Sequence, residues 1–251
     1  MNNMSQFRVA SSRSLILQDS PEPEIVIVSI AIKIQAMFNK RITTPAVLNA
    51  DEFFPDAGKF VDAWESIRDE ALALTRSIDD IPKFHELLES QTRVSTEGYG
   101  NWRVFLPRAY GRDIEKNMEK CPTLAKLLRE HPHVTTANIS IIDPRKTIPA
   151  HKGPFKGIVR FSLGLSVPKT ESGEPGVVLT LDGKEYRTGE GEWLLWDDTY
   201  EHAVRNETDE PRIVLLLDVF RAKMPLHLRF ISWLTIKMVG SVVKKSDKFQ
   251  V

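Results

Sequence analysis

The chain has 251 residues, 41% hydrophobic and 27% charged, enough to bury one sizeable core, so one domain with appendages is the starting expectation. Lysine plus arginine equals aspartate plus glutamate at 34 each, which gives no charge basis for a nucleic-acid partner. The single cysteine, Cys121, excludes an intrachain disulfide and a cysteine-rich zinc site and fits a reducing, cytoplasmic setting.

Residues 1–50 form a segment of open role. The first residues lack the apolar core of a signal segment. Pro21 and Pro23 then precede the apolar run 25–32, which Lys33 interrupts before it can span a bilayer. An amphipathic helix, a strand and a partner-binding segment all fit that run. From 59 to about 75, Phe60, Trp64, Ile67, Ala71 and Leu74 recur at three- and four-residue spacing with charges between them, which predicts an amphipathic helix packed on something larger. Pro122 followed by Leu124, Leu127 and Leu128 predicts a second helix with proline in its first turn, ending near His131 and Pro132.

After Val134 the texture changes to short β-type runs at 135–142, 157–167, 177–181, 185–187, 192–196, 202–206 and 212–220, divided by Gly, Pro and Asp clusters. Their close spacing without intervening helices predicts an antiparallel sandwich or barrel. The expected organisation is helices over 51–133, a jelly-roll-like β core over 134–220, and a basic tail over 221–251. The tail counts Arg221, Lys223, Arg229, Lys237, Lys244, Lys245 and Lys248 against Asp247 alone. Its stretch 222–245 mixes Leu, Ile, Phe and Trp with these cations. A helix docked on the β core is the first expectation and peripheral membrane contact the alternative.

In the run 157–165, strand alternation puts Ile158, Arg160, Ser162 and Gly164 on one face and Val159, Phe161, Leu163 and Leu165 on the other. Downstream, Pro211 cannot donate to a ladder, so it is expected in a loop with 207–210 that joins two strands as a hairpin. That register pairs Asn206 with Arg212 and points His202, Val204, Asn206 and Arg212 to one face. An arginine entering so apolar a strand calls for an anion, because a buried unpaired guanidinium is costly. His151 and His202 are each unremarkable alone, and their sequence separation leaves their meeting to the fold.

Taken together, Ser140, HKGPFKGIVRFSLGL (151–165), DDTYEH (197–202) and EPRIVLLLDVF (210–220) resemble the aspartyl/asparaginyl β-hydroxylase family of 2-oxoglutarate-dependent oxygenases. The family pattern has a serine eleven residues before the first metal histidine, an arginine nine after it and an arginine ten after the second. Ser140, His151, Arg160, His202 and Arg212 meet all three spacings. The likeness extends upstream through GNWRVF (100–105) and CPTLAKLLREHP (121–132), so it covers roughly 50–220. It implies a mainly β fold, a double-stranded β-helix of the jelly-roll or cupin type behind a helical N-terminal part. It also implies Fe(II) on His151 and His202, 2-oxoglutarate held by Arg212 with Ser140 and Arg160, and O2 as co-reactant. Imidazole suits ferrous iron and a planar guanidinium suits a carboxylate.

Two positions depart from common patterns. Gly153 stands where most two-histidine iron oxygenases carry an acid, an acid that the aspartyl/asparaginyl branch also lacks, and Ser162 stands where the family usually has histidine, which leaves cosubstrate hydrogen bonding there open. Asp197 and Asp198 are rival carboxylates, though a turn role is expected first. His131 and His133 form a second pair, with a connector role expected because Pro132 lies between them. Trp102, Trp193 and Trp196 are expected in the core or a pocket wall.

For substrate, an aspartyl or asparaginyl side chain in a peptide or carrier-bound amino acid comes first. A lipid acyl chain is the alternative, because bacterial lipid A hydroxylases resemble the same family and share a helix in the style of WESIRDEALAL (64–74). A non-catalytic jelly-roll binding module is the third reading. The oligomeric state is not legible.

Overall fold

The computed structural model describes residues 33–88, 92–243 and 249–251, so the run 25–32 and Lys244, Lys245 and Lys248 lie outside the described residues. Among the described residues ten antiparallel strands form two sheets. They are β1 (Trp102–Ala109), β2 (Arg112–Asp113), β3 (Val134–Ile142), β4 (Thr147–His151), β5 (Ile158–Ser166), β6 (Val177–Leu181), β7 (Lys184–Arg187), β8 (Trp193–Trp196), β9 (His202–Asn206) and β10 (Arg212–Phe220). The larger sheet runs β2-β1-β3-β10-β5-β8 and the smaller β4-β9-β6-β7. This double-sheet jelly roll behind N-terminal helices is the mainly β fold expected from the sequence.

The two faces of the larger sheet explain its sequence. On the outer face Phe105, Ile139, Ile141, Phe161, Leu163, Leu195, Leu215 and Leu217 are buried in one cluster with Phe54, Phe60, Ile67, Ala71, Leu124 and Leu128 of the helical layer. The apolar half of the β5 alternation is therefore the floor on which the helices sit. The polar half, Arg160 and Ser162, turns inward toward the smaller sheet. The predicted stripe of 59–75 buries Phe60, Ile67, Ala71 and Leu74 as expected. The helix is divided, though, into Ala57–Asp62 and Trp64–Leu74 at Ala63, whose φ −99° and ψ 8° are not helical. The helix Pro122–Glu130 begins with its proline and ends at His131 as predicted, and Glu70 accepts from the N–H groups of Thr123 and Leu124 at 2.6 and 3.2 Å, supplying its missing N-terminal partners.

Three expectations need correction. The sheet begins upstream of Val134, because β1 and β2 lie in the stretch expected to be helical and β1 pairs with β3. The hairpin expected between β9 and β10 does not form: β9 pairs with β4 and β6 in the smaller sheet, and β10 with β3 and β5 in the larger. Asn206 instead ties the connecting loop, donating to the carbonyls of Asp143 and Glu210 and accepting from Thr208. Finally, Arg221 is not a tail cation. It is fully buried and ion-paired with buried Asp197, and it donates to the carbonyl of Lys156 at 2.8 Å.

Residues 46–48 run beside β8, with Leu48 N–H donating to Leu195 O and Asp197 N–H to Ala46 O, so they cover the exposed edge of the larger sheet. At the other end, the helix Leu226–Val243 buries Leu228, Ser232 and Ile236. Gly240 approaches so closely that a Cβ there would lie 2.5 Å from Tyr110 O.

Candidate active site

Between the sheets lies a cavity whose wall includes Ser140, His151, Arg160, Ser162, His202 and Arg212, every site residue anticipated from the sequence. The strand register shows how they meet. His151 ends β4 and His202 begins β9, and the two are direct cross-strand partners with ring centroids 4.1 Å apart. From the larger sheet, Ser140 and Arg212 come from neighbouring strands β3 and β10, with Val214, two residues beyond Arg212, opposite Ser140. His202 and Arg212 therefore share a cavity because two sheets face each other, not because two strands pair.

Both imidazoles are oriented by backbone. His151 Nδ1 lies 2.8 Å from Pro149 O and His202 Nδ1 2.9 Å from Tyr200 O, contacts that place the proton on Nδ1 and leave Nε2 with a free lone pair. Burial lowers the pKa of His151, and burial together with the neighbouring His151 pushes that of His202 down to about 3. Neutral, pre-aimed imidazoles are what a divalent metal requires. Trp196 meets His202 edge-on at 4.7 Å and so belongs to the pocket wall.

The two arginines are in opposite electrostatic situations. Burial works against the charge of Arg160, but Asp218 at 2.9 Å and Asp198 at 3.2 Å outweigh it and raise its pKa. Arg212 is partly buried, its Nε is buried with no hydrogen-bond partner among the described residues, and burial alone pushes its pKa down to about 10. A guanidinium with an orphaned donor facing a cavity has the chemistry to take up a carboxylate. Beside it, Ser140 Oγ accepts from Trp102 Nε1 at 2.9 Å, which leaves the hydroxyl proton to be donated elsewhere. Ser162 Oγ contacts Leu194 O at 3.5 Å.

Sequence reasoning undervalued two acids. Asp197 does make the expected turn, accepting from Thr199 N and Oγ1, but it is also the partner of Arg221. Asp198 lies in the same turn, as expected, but does more than turn the chain. It is buried and ion-paired with Arg160, and its Oδ1 has no partner among the described residues. A Cβ on Gly153 would lie 2.3 Å from Asp198 Cγ, so the Asp198 carboxylate fills the space a side chain at 153 would need. This is a steric reason for glycine where an acid commonly stands. We expect Gly153→Ala to destabilise the protein by about 1–3 kcal/mol through overpacking; an unchanged urea midpoint would show that the loop yields. Asp218, noted in the sequence only as the polar residue of β10, is the cross-strand partner of Arg160 and was legible once β5 and β10 were known to be neighbours.

The sequence profile described as aspartyl/asparaginyl beta-hydroxylase matches residues 61–222. The chain belongs to this family. An ornithine lipid ester-linked acyl 2-hydroxylase of Rhizobium tropici is 32% identical over 180 residues, covering 72% of this chain and 62% of that one. The aspartyl/asparaginyl beta-hydroxylase of Homo sapiens is 27% identical over 168 residues, covering 64% of this chain and 20% of that one. The alignments thus span less than two thirds of either relative's length. Among solved structures, a predicted oxalate decarboxylase from Thermotoga maritima aligns at 12% identity and TM-score 0.34, over 52% of this chain and 87% of that one. The jelly-roll assignment rests on the strand pairing above rather than on that likeness.

Proposed function

We propose that this member of the aspartyl/asparaginyl β-hydroxylase family is an Fe(II)- and 2-oxoglutarate-dependent hydroxylase acting on the acyl chain of a membrane lipid. The observation that carries the reaction class is the pairing, in one cavity, of two pre-aimed imidazoles with the unpartnered guanidinium of Arg212. The residues fit the implied groups: Nε2 of His151 and of His202 for ferrous iron, Arg212 with Ser140 for the distal carboxylate of 2-oxoglutarate. Arg160, its charge already balanced by Asp218 and Asp198, offers the cosubstrate hydrogen-bond donors rather than net charge. Bound iron with O2 and 2-oxoglutarate supplies an oxidant for an unactivated C–H bond, giving the alcohol, succinate and carbon dioxide. The chain's own part is to fix the imidazole tautomers, anchor the carboxylate and line the cavity with Ile148, Val177, Leu179 and Leu216, which limit water.

Surface chemistry favours lipid over peptide. No helix among the described residues is long and apolar enough to cross a membrane. The docked helix Leu226–Val243 nevertheless exposes Leu226, Phe230, Trp233, Leu234 and Met238, a stripe at helical spacing, with exposed Arg229 and Lys237 in the row of Trp233. Apolar and aromatic side chains interleaved with cations suit an anionic bilayer surface, and the Rhizobium tropici relative is named for an acyl chain. With about 1.5–3 kcal/mol for each large apolar side chain buried, Phe230→Ser with Trp233→Ser should lower binding to anionic vesicles at least tenfold while the melting temperature holds. Equal recovery with vesicles would dismiss the docking face. The substrate itself is tested by aerobic incubation with Fe(II), ascorbate and 2-oxoglutarate in the presence of ester-linked acyl lipids and of Asp- and Asn-containing peptides. An added oxygen on the acyl fragment is expected; oxygen found on the peptides alone would reverse the assignment.

A further inference from the structure

Outside the cavity, three ligand-type side chains converge where the helical layer meets the larger sheet. Asp56 precedes the helix Ala57–Asp62, His131 closes Pro122–Glu130, and His133 leads into β3. His131 Nδ1 lies 3.5 Å and His133 Nε2 3.2 Å from one and the same oxygen, Asp56 Oδ2. Among the described residues this is the one group of three His, Cys, Asp or Glu side chains whose ligand atoms all fall within 4.8 Å of one another.

Those separations match a coordination shell. Metal–ligand bonds of about 2.0–2.2 Å in a tetrahedral centre put neighbouring ligand atoms roughly 3.3–3.5 Å apart. The rings are held by more than the carboxylate: His131 packs on Phe60 at 5.7 Å, His133 meets Phe54 edge-on at 5.8 Å, and Pro132 restricts the backbone between them. The two imidazoles stand nearly perpendicular, at 81°, so their ligand atoms approach from different directions. Side-chain exposures of 14%, 36% and 37% for His131, His133 and Asp56 leave the group backed by protein and open on one side, where water completes a fourth position. Burial lowers the pKa of His133, which favours the neutral ligand form.

We propose that Asp56, His131 and His133 bind one divalent transition-metal ion, with Zn2+ as the reference case, at a site separate from the His151–His202 cavity. Two imidazoles and a carboxylate suit this class of ion. The bound ion ties the segment preceding Ala57–Asp62 to the start of β3, fastening the helical layer to the sheet. The connector role expected for His131 and His133 thus becomes a clamp.

The test titrates chelator-treated full-length chain with Zn2+ alone and counts bound zinc after equilibrium dialysis. Two ions per chain are expected in the parent, one in the His151→Ala/His202→Ala variant and one in His133→Gln, which also shows at least a tenfold weaker dissociation constant at the affected site. Unchanged stoichiometry and affinity in His133→Gln overturn the proposal. If His133→Gln fails to fold, the His151→Ala/His202→Ala chain decides: added Co2+ should broaden the imidazole NMR signals of His131 and His133 while sparing those of His85 and His227. Signals left sharp at His131 and His133 overturn it equally.

Discussion

In a His202→Ala variant, ferrous binding and turnover disappear together. His202 is one of only two imidazoles in the cavity, its Nε2 is freed by the Nδ1 contact to Tyr200 O, and its cross-strand partner His151 cannot hold a metal alone. The acid that would provide a third protein ligand has no room at 153, where the carboxylate of Asp198 already sits. A centre with two protein ligands has no redundancy, so losing one drops activity to background rather than by a modest factor. The fold survives, because the sheets are held by the outer-face cluster, to which His202 does not belong. Iron content by metal analysis and circular dichroism on the same preparation check both halves. Normal activity in this variant would remove His202 from the metal site.

The Arg212→Ala variant gives the opposite balance of stability and function. A buried guanidinium without a counter-charge is a burden on the empty protein, and burial already pushes its pKa down to about 10. Removing it should leave the ligand-free melting temperature unchanged or raised. A hydrogen bond to a charged group contributes about 1.5–3 kcal/mol, so losing the carboxylate anchor should raise the 2-oxoglutarate requirement roughly 10- to 150-fold while iron remains bound. A residue that costs the empty fold yet is needed by the ligand is retained for the ligand. An unchanged apparent affinity for 2-oxoglutarate, or clear destabilisation of the empty protein, would exclude Arg212 from this role.

The residues that line the cavity were easier to read from the sequence than the connections between strands. Alternation in β5 correctly separated Arg160 and Ser162 from the apolar face, because one face of a half-buried strand must be continuous with the core. His202 and Arg212 were expected to share a surface, and they do, but the hairpin that motivated the expectation is absent. Facing sheets produce the same juxtaposition, and local periodicity cannot distinguish the two. Two of the missed strands, β1 and β4, share a cause. β1 contains Pro107 and β4 contains Pro149, residues that argue against a strand, and in each case the pairing shifts register across the proline, between Phe105 and Arg108 and between Ile148 and His151. At an irregularity the lost N–H costs no ladder bond, so proline is tolerated.

Charge was misread for a similar reason. Arg221 looked like the first cation of a basic tail because burial is invisible in a charge count. Only the fold brings Asp197 to it across the end of β8. The placement of Asp198 against Gly153 is likewise a contact between distant segments that no local pattern encodes. The remaining tail signal was real but incomplete. The helix Leu226–Val243 is docked through Leu228, Ser232 and Ile236 and apolar on its outer side as well, so the two readings of the sequence describe two faces of one element.

The central claim is that the cavity between the sheets couples a two-histidine iron centre to 2-oxoglutarate. Its most direct test is succinate formation by the chelator-treated chain, resupplied with Fe(II) and ascorbate in air, at limiting and saturating 2-oxoglutarate. Iron-dependent conversion of 2-oxoglutarate to succinate is predicted, accelerated by acyl lipid, absent in His202→Ala and restored in Arg212→Ala only at high 2-oxoglutarate. Absence of succinate from the parent chain under all these conditions, with both acyl lipids and peptides present, would contradict it and leave the jelly roll as a binding module.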